Sequence, residues 1–420
     1  MARILALTSR LPFPPREGHQ LRAWHLLKAM ASRHDVTLLS FVREDDEPAQ
    51  ADPLRGILKS LHLCPIPAER SRIALGQALL RGTLGTGPFL AAKYSSTAFR
   101  RQVAGLARDA DLVHFDMLPL MAHADCVPAG IPIVLNAHNV EHRLLATRAE
   151  IEPDRMRRSF LSGQVAKLLA FEAAACTRAD QVLACSEPDA AALRELAPDT
   201  PVEVIANGVD LEANRPEATS TTQPQLVFVG QMGWFPNRDG VDWFLRDVFP
   251  RILRTCPSAE FVLVGKHDGM EIPADVAPRV TLAGFVPDLR PLVHAAAVYV
   301  VPLRAGSGTR LKVLEAMALG KAIVSTRVGS EGIALTHGKD VLFADEAQAF
   351  ADAAVALLRS PAEAARLGAA ARVLAEQRYG WDAIGNRLLG CYDGLLPAPT
   401  HGEELLHEAS VARLIGAAAG

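Results

Sequence analysis

No CxxC pair and no zinc-ligand spacing occurs among Cys64, Cys126, Cys176, Cys185, Cys256 and Cys391. A structural zinc site is therefore excluded, and the six read as reduced thiols of a cytosolic protein. No apolar run approaches the ~20 residues that a membrane span needs. After one Arg the N-terminus offers only Ile4 to Leu7, too short for a signal-peptide core. A cytoplasmic location follows as the expectation, with any membrane association peripheral. Net charge is also nearly absent. Lys and Arg total 44 against 47 Asp and Glu, a balance of −3, so no nucleic-acid partner is implied. No carboxylate cluster suits a divalent ion, and neither a metal nor another cofactor is expected.

What is present is alternation. Short apolar runs separate longer helical patterns almost from end to end, the signature of parallel α/β architecture. Arg3–Thr8 reads as a strand, followed by a Pro-rich loop through Gly18. Leu21, Trp24, Leu27 and Met30 then give the first helix an apolar face. Further strands are expected at Asp35–Val42, Leu61–Ile66, Asp111–Phe115, Ile131–Asn136, Asp180–Cys185 and Val202–Ala206, with a long helix over Met156–Thr177. Residues 213–224 lack periodicity and read as a linker. Beyond them strands are expected at Leu226–Gly230, Phe261–Gly265, Val280–Leu282, Val298–Val301 and Ala322–Ser325. From Asp345 the chain reads as helical, interrupted at Ser360–Pro361. The reading is thus a first α/β domain over 1–212, a linker over 213–224 and a second domain over 225–380. A last helix near Trp381–Leu395 crosses back to the first domain. A loosely held tail at 397–420, with a short helix at Glu403–Ile415, completes the chain. In such sheets ligands bind beyond the carboxyl ends of the strands, here in the cleft between the domains.

The segment from Gly306 to Ala318, GSGTRLKVLEAMA, carries the strongest chemical pattern. Thr309 is placed to cap a helix whose apolar stripe is Leu311, Leu314 and Ala318. Gly306 and Gly308, flanking Ser307, let backbone N–H groups approach an anion, and the helix N-terminus adds a favourable dipole. Arg310 and Lys312 can meet phosphate oxygens, and Glu315 can bond a ribose diol. The competing reading is a Gly-rich turn before a surface helix with a solvated Lys–Glu face.

Several polar residues fall beyond strand ends of the first domain. His138, followed by Asn139 and Glu141, stands just past an apolar strand and reads as lining a transfer site. Its alternative is a solvated or capping side chain. His114 and Asp116 border the same cleft or are ordinary surface residues. Arg22 meets an acceptor anion or is a solvated helix arginine, and His25 reads as structural. Arg155, Arg157 and Arg158 read as a solvated helix face, with membrane docking as the other reading.

The run LKVLEAMALGKAIVST resembles the donor-site signature of the retaining glycosyltransferases of family 4, which have the GT-B fold. PPREGHQLR, IVLNAHNVEH, VLACSE, IANGVD, LVFVG, AGFVPDLRPLV and YGWD follow that family's order, so the resemblance spans roughly residues 3–396. It implies that Gly18 lets the nucleotide diphosphate and acceptor approach the backbone, and that His138 contacts the donor sugar. Phe285 and Val286 would hold the base through their backbone, and Glu315 the ribose. Two departures stand out. Ser307 occupies a position where the family commonly has Glu, and Gly230 is followed by Gln231, Met232, Gly233 and Trp234 in place of the family's Arg and Lys. The diphosphate would then rest on Lys312 and Arg310, with Arg304 or Arg238. The pattern is similar to a divergent branch of sugar transferases linked to exopolysaccharide or PEP-CTERM protein-sorting loci.

What the resemblance implies is a GT-B enzyme moving a sugar from a UDP- or GDP-sugar donor to a sugar, lipid-linked or small-molecule acceptor, with retention. Its place would be polysaccharide or glycoconjugate biosynthesis. The acceptor would meet Arg22, His114, Asp116, Asn139 and Glu141 in the first domain. The donor would meet the second. Two rivals are a nucleotide-sugar epimerase or hydrolase of the same fold, and a non-catalytic two-domain sugar-binding protein.

Overall fold

The computed structural model describes residues 1–15, 17–43, 51–217, 223–267, 269–306 and 309–396. The expected tail and its helix, Ser307 and Gly308, and the middle of the linker at 218–222 lie outside the described residues.

Seven strands build the first sheet: β1 (Arg3–Thr8), β2 (Asp35–Val42), β3 (Ser60–Pro65), β4 (Leu112–Asp116), β5 (Ile133–Asn136), β6 (Gln181–Ala184) and β7 (Val202–Val204). Six build the second: β8 (Gln225–Val229), β9 (Glu260–Val264), β10 (Val280–Gly284), β11 (Val298–Val301), β12 (Ala322–Ser325) and β13 (Leu342–Phe343). All named pairings are parallel. Helices cover both faces, which is why the central strands are near-continuous apolar runs: every residue from Ile4 to Thr8 and from Val298 to Val301 is buried. β13 has only two residues, too few to show a period, and is absent from the sequence reading. So are the helices between Pro67 and Leu106, among them Arg72–Leu84.

The strand orders decide where a ligand can sit. The first sheet runs β3-β2-β1-β4-β5-β6-β7 and the second β10-β9-β8-β11-β12-β13. Each is a Rossmann-like order that reverses beside its first strand, so a crevice opens beyond the carboxyl ends of β1 and β4, and of β8 and β11. The fold is α/β with two such sheets.

The helix Trp381–Asp393 returns to the first domain and packs on the helix Gly18–Arg33. Its route is fixed where the chain crosses twice, because Val209 bridges to Gly380 and its N–H donates to the Tyr379 carbonyl at 2.7 Å. Trp381 stacks on His25 with ring centroids 4.4 Å apart, which bears out the structural reading of His25. Burial pushes the His25 imidazole down to about 4, so it stacks as the neutral ring. Tyr392 closes the helix with a 2.7 Å hydrogen bond between its hydroxyl and His114 Nδ1. At Gly385 the two helices approach closely, since a Cβ there would stand 2.7 Å from the Ala29 Cβ. Gly385→Val should therefore wedge the helices apart and cost about 1–3 kcal/mol, the range for overpacking. Urea unfolding measures it, and an unchanged midpoint would mean the contact yields freely.

Candidate active site

In the first domain, parallel register sets Asp116, the last residue of β4, beside Asn136, the last of β5. Asn136 Nδ2 donates to Asp116 Oδ1 at 2.6 Å, and the His138 Nε2 lies 2.8 Å from the same oxygen. Behind them, Arg22 reaches in from the first helix. Its Nη2 donates to Asn136 Oδ1 at 2.7 Å and its Nη1 to the Ala206 carbonyl at 3.0 Å. Burial alone would raise the Asp116 carboxyl, but His138 beside it, with His114 and the Asn136 amide, holds it down at about 2. Asp116 is thus an ionised acceptor, so His138 presents Nε2–H to it and any chemistry at the ring runs through Nδ1. Met117, next in the chain, sits at φ 93°, a strained conformation for a side-chain-bearing residue beside a site.

The second domain builds the opposite charge. Lys312 lies in the first turn of the helix Leu311–Ala318, and its Nζ donates to Asn237 Oδ1 at 2.7 Å. The same ammonium stands 4.2 Å over the Phe228 ring. Burial, reinforced by Arg310 and opposed by Glu315, pushes Lys312 down to about 7. Glu315, one turn on, is raised by burial and held back by Lys312. Gly230, just past β8, lies under this group: a Cβ there would stand 2.7 Å from Asn237 Nδ2 and 2.8 Å from Lys312 Nζ, so a side chain would displace them. Arg310 is buried, with its guanidinium 5.7 Å from the Trp234 ring centroid and close to the positive-φ Gly306.

One helical turn joins the two halves. A Cβ at Gly18 would stand 3.0 Å from Leu311 Cδ1, so the first turns of the helices Gly18–Arg33 and Leu311–Ala318 meet across the cleft. His19, the next residue, feels the charges of both His138 and Asp116. Two helix N-termini and a half-buried ammonium thus converge beside a carboxylate–imidazole pair, an arrangement suited to an anionic leaving group.

Comparison with known proteins agrees with this geometry. A model described as Glycosyltransferase Family 4 matches residues 17–213, and one described as Glycosyl transferases group 1 matches 223–360, one for each domain. The chain belongs to the glycosyltransferases of this family 4, group 1 kind. A lipopolysaccharide core biosynthesis mannosyltransferase of Rhizobium meliloti is 26% identical over 52% of the chain and 67% of its own length. A phosphatidyl-myo-inositol mannosyltransferase of Mycobacterium tuberculosis is 25% identical over 45% of the chain and 53% of its own length. Matched segments thus span about half to two-thirds of these relatives, and 35% of an uncharacterized 44.6 kDa protein of the Klebsiella pneumoniae cps region, 26% identical over 30% of the chain. Among solved structures, HepE of Anabaena in complex with UDP is similar in fold, with a TM-score of 0.65, 16% identity, 93% of this chain covered and 100% of that one.

The structure departs from several sequence expectations. Thr309 does not cap the donor helix: Arg310 occupies the cap position, and its side chain makes no cap hydrogen bond. Arg304 is committed to a bidentate pair with Asp239, at 3.1 and 2.6 Å, which draws it from a phosphate role. Arg22 is 1% exposed and holds Asn136, and His114 is buried beneath Tyr392, so neither offers a surface to an acceptor. Burial pushes His114 down to about 4. His138 is neither solvated nor a cap: it is buried as a partner of Asp116 and so has a share in stability. Glu141 begins the helix Glu141–Ile151, where burial and the nearby Glu172 push its carboxyl up to about 7, with Asn139 as a hydrogen-bond partner. Phe285 projects into solvent and Val286 is half-buried, just past β10 and the positive-φ Gly284. The sequence reading misses His19 and Asn237. His19 follows Gly18 in the quoted PPREGHQLR, whereas Asn237 belongs to no motif and emerges only from its contact with Lys312.

Asp116 also sets a pH dependence. Its folded pKa lies below the unfolded value of 3.8, so the stabilisation is present above about pH 4 and lost as pH falls toward 2. The shift corresponds to about 2 kcal/mol. Denaturant titrations of wild type and Asp116→Asn from pH 5 to pH 2 should show the variant's stability falling less, by about that amount. Parallel curves would place the ionic stabilisation elsewhere.

Proposed function

We propose that this enzyme transfers a sugar from a UDP- or GDP-sugar to an acceptor held by the first domain, with retention at the anomeric carbon and without a divalent ion. The observation that carries the reading is Lys312, half-buried at a helix N-terminus over the side-chain-free floor at Gly230, where desolvation pushes its ammonium down to about 7. An ammonium driven toward neutrality there lacks a counter-anion, and a diphosphate supplies one. As the bond between the anomeric carbon and the phosphate oxygen breaks, the electron pair stays on the diphosphate. That growing charge faces Lys312, Arg310 and the uncapped N–H groups of the donor helix. The acceptor hydroxyl then bonds the anomeric carbon on the same face, and its proton passes to the departing phosphate oxygen. His138, steered by Asp116, is placed to contact the transferred sugar through its Nδ1 side.

Retention rests on the family resemblance, although Ser307 stands where a Glu is common. The similarity to a lipopolysaccharide core mannosyltransferase and a phosphatidyl-myo-inositol mannosyltransferase favours a glycoconjugate or exopolysaccharide product, with a mannosyl donor as the first to try. UDP is bound by the structural neighbour, so both bases are to be tested. A divalent ion is not needed in this reading, because Lys312, Arg310 and the donor-helix N-terminus can meet the charge of the departing diphosphate. The free cysteines suit a reducing cytoplasm.

Calorimetric titration with a nucleoside and its diphosphate separates the roles. Lys312→Ala should weaken the diphosphate about ten-fold or more and spare the nucleoside, whereas Glu315→Ala should weaken both alike. At pH 8 in buffers of differing ionisation heat, wild type should take up a proton with the diphosphate, because the phosphates raise Lys312 from about 7. Equal losses for both ligands in Lys312→Ala would remove the phosphate role.

His138→Ala should lower turnover by about two orders of magnitude with nucleoside diphosphate affinity nearly unchanged. Full turnover in that variant would take His138 out of the reaction.

A further inference from the structure

The helix Arg72–Leu84 is apolar on the side that faces away from the protein. Ala78 and Gly82 are its buried residues, and the opposite side carries Ile73, Leu80 and Leu84, which are 74%, 59% and 78% exposed. Spacings of seven and four residues set those three in one stripe. Arg72 and Arg81 fall on either side of it at 100° per residue. A surface helix of a water-facing protein shows the reverse pattern. The long helix Arg155–Arg178 anchors this one, through Gln164 Nε2 to the Gly82 carbonyl at 3.0 Å and Lys167 Nζ to the Gly82 and Thr83 carbonyls at 2.8 Å. Its outer end carries Met156, 84% exposed, among Arg155, Arg157 and Arg158.

Charge says what covers this surface. Neither the helix Arg72–Leu84 nor the stretch from Arg155 to Phe171 contains an acidic residue. Among the described residues Arg72, Arg81, Arg155 and Arg157 form no ion pair, while the nearby Glu69 is taken by Arg43 and Lys93. Asp154 accepts the Arg157 N–H as a helix cap. Exposed apolar side chains interleaved with unpaired guanidinium groups match a surface that is negatively charged outside and hydrocarbon within. No helix among the described residues is long and apolar enough to span a bilayer, so the contact is a docking one.

We propose that the helix Arg72–Leu84 and the outer end of Arg155–Arg178 dock the first domain onto an anionic lipid bilayer. The inference goes beyond sugar transfer and needs neither donor nor acceptor to test.

The experiment is co-sedimentation of the full chain with vesicles rich in phosphatidylglycerol and with vesicles of phosphatidylcholine alone. Binding should favour the anionic vesicles and fall as salt rises. The combined change I73E, L80E and L84E should weaken it about ten-fold or more, as should R155E with R157E. These side chains are solvated, so thermal unfolding should stay close to wild type, and M156E alone serves if the triple variant folds poorly. Failure to bind anionic vesicles at low salt, or unchanged binding in folded variants, would overturn the proposal. So would sedimentation velocity showing a dimer, without lipid, that the same variants dissociate, because a second copy would then cover the face. Nucleoside diphosphate affinity in these variants should equal wild type, which separates failure here from failure of the transferase reading.

Discussion

A carboxylate buried at the end of a parallel strand is costly unless hydrogen bonds and opposite charge surround it. Asp116 is in that position, at the point where the strand order of the first sheet reverses. Its compensation recruits much of the domain: Asn136 from the neighbouring strand, His138 two residues on, and Arg22 from the first helix. Arg22 in turn bonds the Ala206 carbonyl beyond β7, so one ionic network ties the start of the domain to its end. The imidazole that chemistry would use is held by the same bond that satisfies the carboxylate. Geometry at the site and stability of the fold are therefore not separable here.

The second domain repeats the topology with the sign inverted. At its own reversal, past β8 and β11, the ionisable group is the half-buried Lys312, and it is held by a neutral amide and an aromatic face in place of a counter-ion. The two cases differ in how complete they are without ligand. Asp116 is driven below its ordinary range by its partners, whereas Lys312 is driven far from its ordinary value by burial, with Glu315 only a partial offset. A self-sufficient network suits a framework, and an under-compensated cation suits a site that waits for charge.

This contrast explains what sequence alone reveals. β1, β2, β11 and β12 are legible to the residue, because strands buried on both faces are short apolar runs bounded by polar turns. Lys312 and Glu315 are legible too, since helical spacing places them on successive turns behind a glycine pair. The partners are not. Asp116, Asn136 and Arg22 are 20 to 114 residues apart in the chain, and only the β4–β5 register brings them together. Hence a buried Arg22 reads as an acceptor ligand or a solvated helix arginine, and Arg304 as a phosphate ligand when Asp239 already holds it. The outward apolar face of Arg72–Leu84 is hidden for a different reason: periodicity marks a stripe without saying which side of the helix the protein covers.

The returning C-terminal helix gives His114 a meaning that neither an acceptor ligand nor a surface residue has. His114 precedes Asp116 by two positions on the same strand, and alternation sends both side chains to one face of the sheet. Its Nε2 lies 4.0 Å from Asp116 Oδ1 while its Nδ1 meets the Tyr392 hydroxyl. Tyr392 therefore touches, through one imidazole, the carboxylate that positions His138. The crossing at Val209 and Gly380 fixes where this helix begins, and it is also where the second domain hands the chain back. A change in the relation of the two domains at that crossing must be absorbed by the helix or passed along it. Gly385 packs on the first helix without room for a Cβ, and two turns further on Tyr392 ties the same helix to His114 and so to the surroundings of Asp116.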